Sequence, residues 1–291
     1  MSKQQYPLPI LVSGKKQELI GSYRRQVSKQ TNKNFSKQKG RKRLMLYNVN
    51  CFNFTVNANT NIACLAKELK VDTALLCEYS DIIGDPFDNL YSEQIYYKQH
   101  YSFGIAALSK YKIDYDMVLE IDSPNLREVR GAIHIKQYGL NIILTHLDVW
   151  DESGSLRKSE ITKIVEYVEY NGLENVILLG DFNEASIDID LLGQMLVEDL
   201  NIDYRNRTGK NKRVPNQVRE TLLKNNYLDI FDYIGKGKEN KPKFSCWTGR
   251  LVDYAYLFLP TWKNNIQIAD IDFYYTTYSD HLPLIIDIAY D

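Results

Sequence analysis

"VILLGDFNE", residues 176–184, decides how the rest of the chain is read. Val176, Ile177, Leu178 and Leu179 form a short apolar run of the kind that makes a strand buried on both faces. The run passes through Gly180 into Asp181 and Asn183, with Phe182 between them. Burying a carboxylate or an amide is costly without a partner, so the two polar residues must serve something at the strand's end. In an extended chain their i, i+2 spacing places both on one face, which is the expected geometry.

Outward from this stretch, other strand-like runs end the same way. "RLMLYNV" (43–49) ends at Asn48, with Asn50 just after, and "VDTALLCEY" (71–79) ends at Glu78. "LNIILTHL" (140–147) ends at His146, with Asp148 beyond it. "RLVDYAYLFL" (250–259) carries Asp253 inside an apolar strand, and "SDH" (279–281) leads into "LPLIIDIAY" with Asp280 and His281. Alone, each is weak: Glu78 reads as a surface acid, Asn48 as a turn residue, His146 as a satisfied core histidine and "SDH" as a cap. Asp253 is harder to dismiss, because a buried acid needs a partner, and His281 is one of four histidines in the chain. Polar side chains gathered at strand ends are where rigid scaffolds hold chemistry.

Further elements surround these runs. "NIACLAKELK" (61–70) and "SLRKSEITKIVEYVEYNG" (155–172) have the apolar spacing of helices, and "VRETLLKNN" (218–226) reads as a third. "GIAALS" (104–109) is a strand, and "VRGAIHIK" and "LNIILTHL" flank "QYG" as a hairpin. Hairpins mixed with helices imply an α/β fold whose sheets contain antiparallel pairs. No run reaches the roughly 20 apolar residues that span a bilayer. The N-terminal apolar patch is too short for a signal peptide, so the expected location is intracellular, nuclear or cytoplasmic. The four cysteines, Cys51, Cys64, Cys77 and Cys246, lack CxxC spacing and read as reduced, buried thiols.

The formal net charge of -1 conceals an asymmetry. Residues 1–43 contain 12 Lys/Arg and one acid, a charge of +11, so residues 44–291 carry -12. The polar, basic start reads as a flexible arm over 1–42, followed by one catalytic domain over 43–291. Such an arm is a nucleic-acid tether, a nuclear-import signal at "KGRKR", or a solvated tail. A second basic stretch, "YRNRTGKNKR" (204–213), offers Arg205, Arg207, Lys210, Lys212 and Arg213 to a phosphate backbone or to solvent.

In order, "YNVN", "LLCE", "FGIAALSKYKI", "EVRGA", "THLDVW", "LLGDFNE", "RLVDY" and "SDHLPL" resemble the motif series of the endonuclease/exonuclease/phosphatase superfamily. The likeness is greatest to its 5′-tyrosyl-DNA phosphodiesterase and sphingomyelinase branch, although "GDFNEA" departs from that branch's "GDTN" followed by arginine. A metallo-β-lactamase-like alternative would need an HxHxDH cluster, which is missing. The resemblance implies a four-layer α/β sandwich, with two mixed sheets face to face and helices outside. It implies a phosphodiesterase dependent on Mg²⁺ or Mn²⁺. The superfamily spans nucleic acids, inositol phosphates, lipids and protein-linked DNA, and the leading reading is nucleic acid, with the basic arm increasing affinity. The alternatives are a phosphatase or phosphodiesterase on a small molecule or lipid headgroup, and an inactive binding protein of the same fold.

By the same resemblance Glu78, Asn50 and Asp280 hold the metal, with Asn50 where many relatives carry Asp. Asp181 activates water and Asn48 steadies it. Asn183, His281 and His146 contact the phosphate or leaving group, and Asp253 orients His281. Arg130, Asp148 and Trp247 are candidates for substrate contact. The expected oligomeric state is a monomer.

Overall fold

The central strands form where apolar runs allow burial on both faces. The structure is a computed structural model that describes residues 14–80, 86–121, 129–149, 153–184, 217–236, 244–247, 250–263 and 265–290. Among these residues there are twelve strands. They are β1 (Lys42–Asn48), β2 (Thr73–Tyr79), β3 (Glu93–Lys98), β4 (Gly104–Ser109), β5 (Tyr115–Ile121), β6 (Arg130–Gln137), β7 (Leu140–His146), β8 (Val176–Asp181), β9 (Tyr227–Asp229), β10 (Asp253–Phe258), β11 (Ile266–Phe273) and β12 (Leu284–Tyr290). The helices are α1 (Gly14–Ser28), α2 (Ala58–Glu68), α3 (Ser155–Tyr170), α4 (Gln217–Lys224) and α5 (Ile230–Tyr233).

Two six-stranded sheets result, ordered β11-β12-β1-β2-β4-β3 and β5-β6-β7-β8-β10-β9. Each is mixed: β1/β2 and β7/β8 run parallel, and the other pairings are antiparallel. Alternation along the first sheet assigns its two faces. Leu44, Leu46, Leu75, Ile105 and Ala107 join the main core between the sheets. Met45, Tyr47, Ala74, Leu76, Ala106 and Leu108 pack with Ile62, Leu65 and Ala66 of α2. On the far side, Ile161, Ile164, Val165 and Val168 of α3 close over the second sheet. The expected four-layer α/β sandwich is present.

Four strands escape the sequence reading: β3, β5, β9 and β11. They are the four sheet edges. Of the four thiols expected to be buried, Cys64 is exposed on α2 and Cys51 is half-buried. No helix among the described residues is long and apolar enough to cross a membrane.

The expected flexible arm is corrected for residues 14–42, while residues 1–13 lie outside the described residues. Tyr23 and Val27 of α1 are buried in the main core. Asn32 exchanges two hydrogen bonds with the Tyr275 backbone, at 3.0 and 2.6 Å. Lys33 pairs with Asp270 and Asp272 at 2.6 and 3.1 Å, and Lys37 pairs with Asp72. Arg43 is 1% exposed and holds Asp287 with two N–H donors, at 2.6 and 2.7 Å. Part of the basic excess is therefore used to fasten this segment onto acidic strands.

Candidate active site

The two parallel pairs bring four strand ends to one place. Asn48 and Glu78 lie at the ends of β1 and β2, and His146 and Asp181 at the ends of β7 and β8. Asp181 is paired in the ladder with His146 on one side and with Asp253, the first residue of β10, on the other. This register needs Gly180: a Cβ there would stand 1.9 Å from the Thr145 carbonyl oxygen. His281 is tied to the same edge by a bridge to Cys246. Glu78 sits at a register shift in β2/β4 with a φ of 51°. A bulge re-aims a side chain, and a non-glycine residue in this region carries strain of about 1–3 kcal/mol that the surrounding fold must offset.

Asn48 joins the sheets. Its amide donates to Glu78 Oε1 at 3.0 Å and to Asp181 Oδ2 at 2.9 Å. Its own Oδ1 accepts the Asn50 N–H at 3.0 Å, and Ser279 Oγ donates to its carbonyl at 2.8 Å. His281 Nδ1 lies 2.8 Å from Asp253 Oδ2, and its Nε2 lies 3.8 Å from Asp181 Oδ2. His146 Nε2 is 3.9 Å from Asp181 Oδ2 and 4.0 Å from Glu78 Oε1. Two imidazoles, two carboxylates and one amide thus surround a common space.

Burial sets the charge states, modified by neighbours. Glu78 rises to about 7 through burial and then the charge of Asp280. Asp181 rises to about 6 through burial and then Asp253, against the lowering effect of His281 and Asn48. Burial pulls His281 down, but Asp253, Asp181 and Asp280 outweigh it and hold the imidazole well above its usual range. His146 is held well below that range by burial, then by Arg130 and His281. The two histidines are therefore biased in opposite directions, His281 towards the charged form and His146 towards the neutral one.

No protein-family profile matches the sequence, and no curated protein matches it. Solved structures are similar in fold over most of the chain. One is an AP endonuclease from Archaeoglobus fulgidus, with 15% identity and a TM-score of 0.61, covering 86% of this chain and 99% of that one. A 3′-5′ exonuclease from Neisseria meningitidis has 16% identity and a TM-score of 0.62, covering 85% and 100%. TDP2 from Caenorhabditis elegans has 17% identity and a TM-score of 0.54, covering 86% and 98%. The chain shares the fold of these solved structures.

Within this fold, several residues stand differently from expectation. Strand β8 stops at Asp181, and Asn183 has a φ of 50°, so the two do not share one face of an extended chain. Instead the Asn183 N–H donates to Asp181 Oδ1 at 2.9 Å, and its amide donates to the Leu147 carbonyl at 2.9 Å. Arg130 and Asp148, expected to face substrate, are 1% and 0% exposed. They pair at 3.6 Å behind His146, whose carbonyl accepts from Arg130 Nη1 at 3.2 Å. Both position the end of β7. Arg157 and Glu160 extend this layer through the Asp148 backbone, at 3.0 and 2.9 Å, and nothing in the sequence pattern of α3 singled them out. Trp247 is half-buried, and its backbone N–H donates to the Asp280 carbonyl at 2.7 Å. Arg205, Arg207, Lys210, Lys212 and Arg213 lie outside the described residues.

Two donor sets are candidates for a cation. Asp181, Asp253 and His281 have ligand atoms within 4.8 Å of one another. In that set, however, His281 Nδ1 already engages Asp253 at 2.8 Å, which favours an acid–imidazole pair over a metal cage. The other set is Glu78 with Asp280. Glu78 keeps 27% of its side chain exposed, and the charge of Asp280 adds to burial in raising its pKa to about 7. A dication between the two carboxylates would relieve that repulsion, and all-oxygen donors suit a hard ion. These oxygen donors fit a hard divalent cation.

Proposed function

We propose that the chain is a divalent-cation-dependent phosphodiesterase acting on nucleic acid. The observation that carries this reading is the convergence of Asp181, the Asp253–His281 pair and Glu78 around Asn48. Glu78 and Asp280 would hold the cation, and Asn50, on the turn that follows Asn48, is a further candidate ligand. When bound, such an ion lowers the negative charge that repels a nucleophile from a phosphate and stabilises the leaving oxygen.

The chain's own residues divide the remaining work. Asp181, steadied by Asn48 and by the Asn183 N–H, takes a proton from the attacking water. His281 donates from Nε2 to a phosphate oxygen while Asp253 keeps it charged and oriented. His146, neutral, offers a hydrogen bond on the leaving-group side. One amide hydrogen of Asn183 is used by Leu147, leaving the other for the phosphate. Arg130 and Asp148 keep His146 in place.

Nucleic acid is favoured because the fold's neighbours include an AP endonuclease, an exonuclease and a TDP2 from D. rerio complexed with a single-strand DNA product. A second reading, hydrolysis of a small-molecule or lipid-headgroup phosphate, is favoured by the -12 charge of residues 44–291. Parallel Mg²⁺ assays on plasmid, 5′-tyrosyl oligonucleotide, inositol phosphate and sphingomyelin separate them. Cleavage of the nucleic acids alone supports the first reading, and cleavage of the small or lipid substrates alone replaces it.

A further inference from the structure

The basic N-terminal helix is built into the rim of the site. Tyr23 of α1 is fully buried, with ring centroids 6.2 Å from Phe54 and 6.1 Å from Phe244. Phe54 follows the turn that carries Asn50, and Thr55 donates to the Tyr278 carbonyl at 3.4 Å, just before Asp280. Phe244 leads into Cys246, which bridges His281. Burial first, and then charges that include Tyr47, Asp280 and Asp253, raise the Tyr23 phenol well above its usual range.

Arg24, the next residue, points outward. It is exposed, its guanidinium carbon lies 5.0 Å from the Phe54 ring centroid, and its Nη2 donates to the Phe54 carbonyl at 3.2 Å. Arg25 is exposed beside it. A guanidinium seated on an aromatic ring is held in place, and its planar fork matches the oxygens of a phosphate. Three basic residues farther along the segment are committed differently. Lys33, Lys37 and Arg43 are paired with Asp270, Asp72 and Asp287.

We propose that α1 forms one wall of the substrate cleft, where Arg24 and Arg25 take backbone phosphates of a polynucleotide strand whose scissile bond lies at Asp181 and His281. This rests on the nucleic-acid reading. It also explains how a domain carrying -12 over residues 44–291 can hold a polyanion, since the complementary charge comes from an α1 anchored by its own core residues.

The test uses the full chain and the R24Q/R25Q variant, on a long single-stranded oligonucleotide and on a dinucleotide. Thermal unfolding of both proteins checks that the exposed substitutions leave the fold intact. KM for the long strand should rise about tenfold more than KM for the dinucleotide. Each phosphate contact adds about 0.7 to the salt slope on a single strand, so two lost contacts flatten it by about 1.4, and the variant's defect should shrink about sevenfold between roughly 50 and 200 mM salt. Arg24→Lys keeps the charge and loses the fork, and should fall between the two proteins. If wild type cleaves the long strand but the variant has the same KM ratio and salt slope, the wall is refuted and the nucleic-acid reading stands. If wild type cleaves no polynucleotide, both fall. Binding of an acidic peptide in place of the oligonucleotide, lost in R24Q/R25Q, would also overturn the assignment.

Discussion

Replacing Asp253 by Asn tests the pairing at the centre of the site. The change keeps the shape and one hydrogen-bonding group but removes the charge 2.8 Å from His281 Nδ1. Both residues are buried, 2% and 8% exposed, so water screens the pair little. At an effective dielectric of about 20, unit charges about 4 Å apart interact by about 4 kcal/mol, or about three pKa units. A shift of about 1–3 units is the reasonable range for one neighbouring charge, and Asp181 and Asp280 still act on the imidazole after the substitution. The carboxylate raises the His281 pKa, so its loss lowers it. If imidazolium is the active form, the alkaline limb of kcat/KM must move to lower pH by that amount.

Asp253 also raises Asp181, so its loss lowers the Asp181 pKa, and the acid limb moves to lower pH as well. One pH unit above the lowered His281 pKa, only about a tenth of the enzyme keeps the charged imidazole. His281→Ala should cost about 10²–10³ in kcat, the range for removing one preorganised donor to a developing charge. The double variant should be little worse, because the pair acts as a unit. The assay is a pH–rate profile on one phosphodiester substrate. An Asp253→Asn enzyme with wild-type rate and an unmoved alkaline limb would refute the reasoning.

A cation at Glu78 should show in unfolding as well as in rate. Because Glu78 is raised to about 7, the cation-free fold binds a proton that the unfolded chain releases, and so loses stability as pH rises from about 4.5 towards 7. Added Mg²⁺ should therefore raise Tm more on the alkaline side of that range than on the acid side, and Glu78→Gln should remove most of the gain. Tyr23→Ala should destabilise by about 3 kcal/mol through the cavity it leaves, measured by urea denaturation. Deleting residues 1–42, harmless if they were a loose arm, should abolish cooperative folding. Arg43→Met leaves Asp287 buried without its cation and should cost about 3–5 kcal/mol in the same assay.

The sequence made the interior of the fold legible and left its margins unread. β1, β2, β4, β7, β8 and β12 are apolar runs because both faces of each are covered, and such runs stand out in any window. β3 ("EQIYYK") and β5 ("YDMVLEI") are mostly half-exposed or exposed edges, β9 has three residues, and β11 is bulged at Asp270. None has a period to detect. Helix α1 was hidden for another reason. Its composition is that of a solvated tail, and its order comes from Tyr23 and Val27 in the main core, while the segment after it is fastened by Lys33 to Asp270, more than 200 residues away. The site was legible at Asn48, Glu78, Asp181, Asp253 and His281 because buried polar groups at strand ends need a shared reason. Arg130 was misread because its partner, Asp148, lies on a neighbouring strand end, and a paired buried arginine looks like a surface one in sequence.

The proposed activity is a cation-dependent hydrolysis of phosphodiesters at Glu78 and Asp181. The most direct measurement is the initial rate of cleavage of a fluorescent single-stranded oligonucleotide by wild type, Glu78→Gln and Asp181→Asn, across a Mg²⁺ titration with a chelator control. The expected result is saturable Mg²⁺ dependence for wild type, no cleavage in excess chelator, and loss of nearly all activity in both variants while they remain folded. Undiminished cleavage in chelator, or wild-type rates from folded Glu78→Gln, would contradict it.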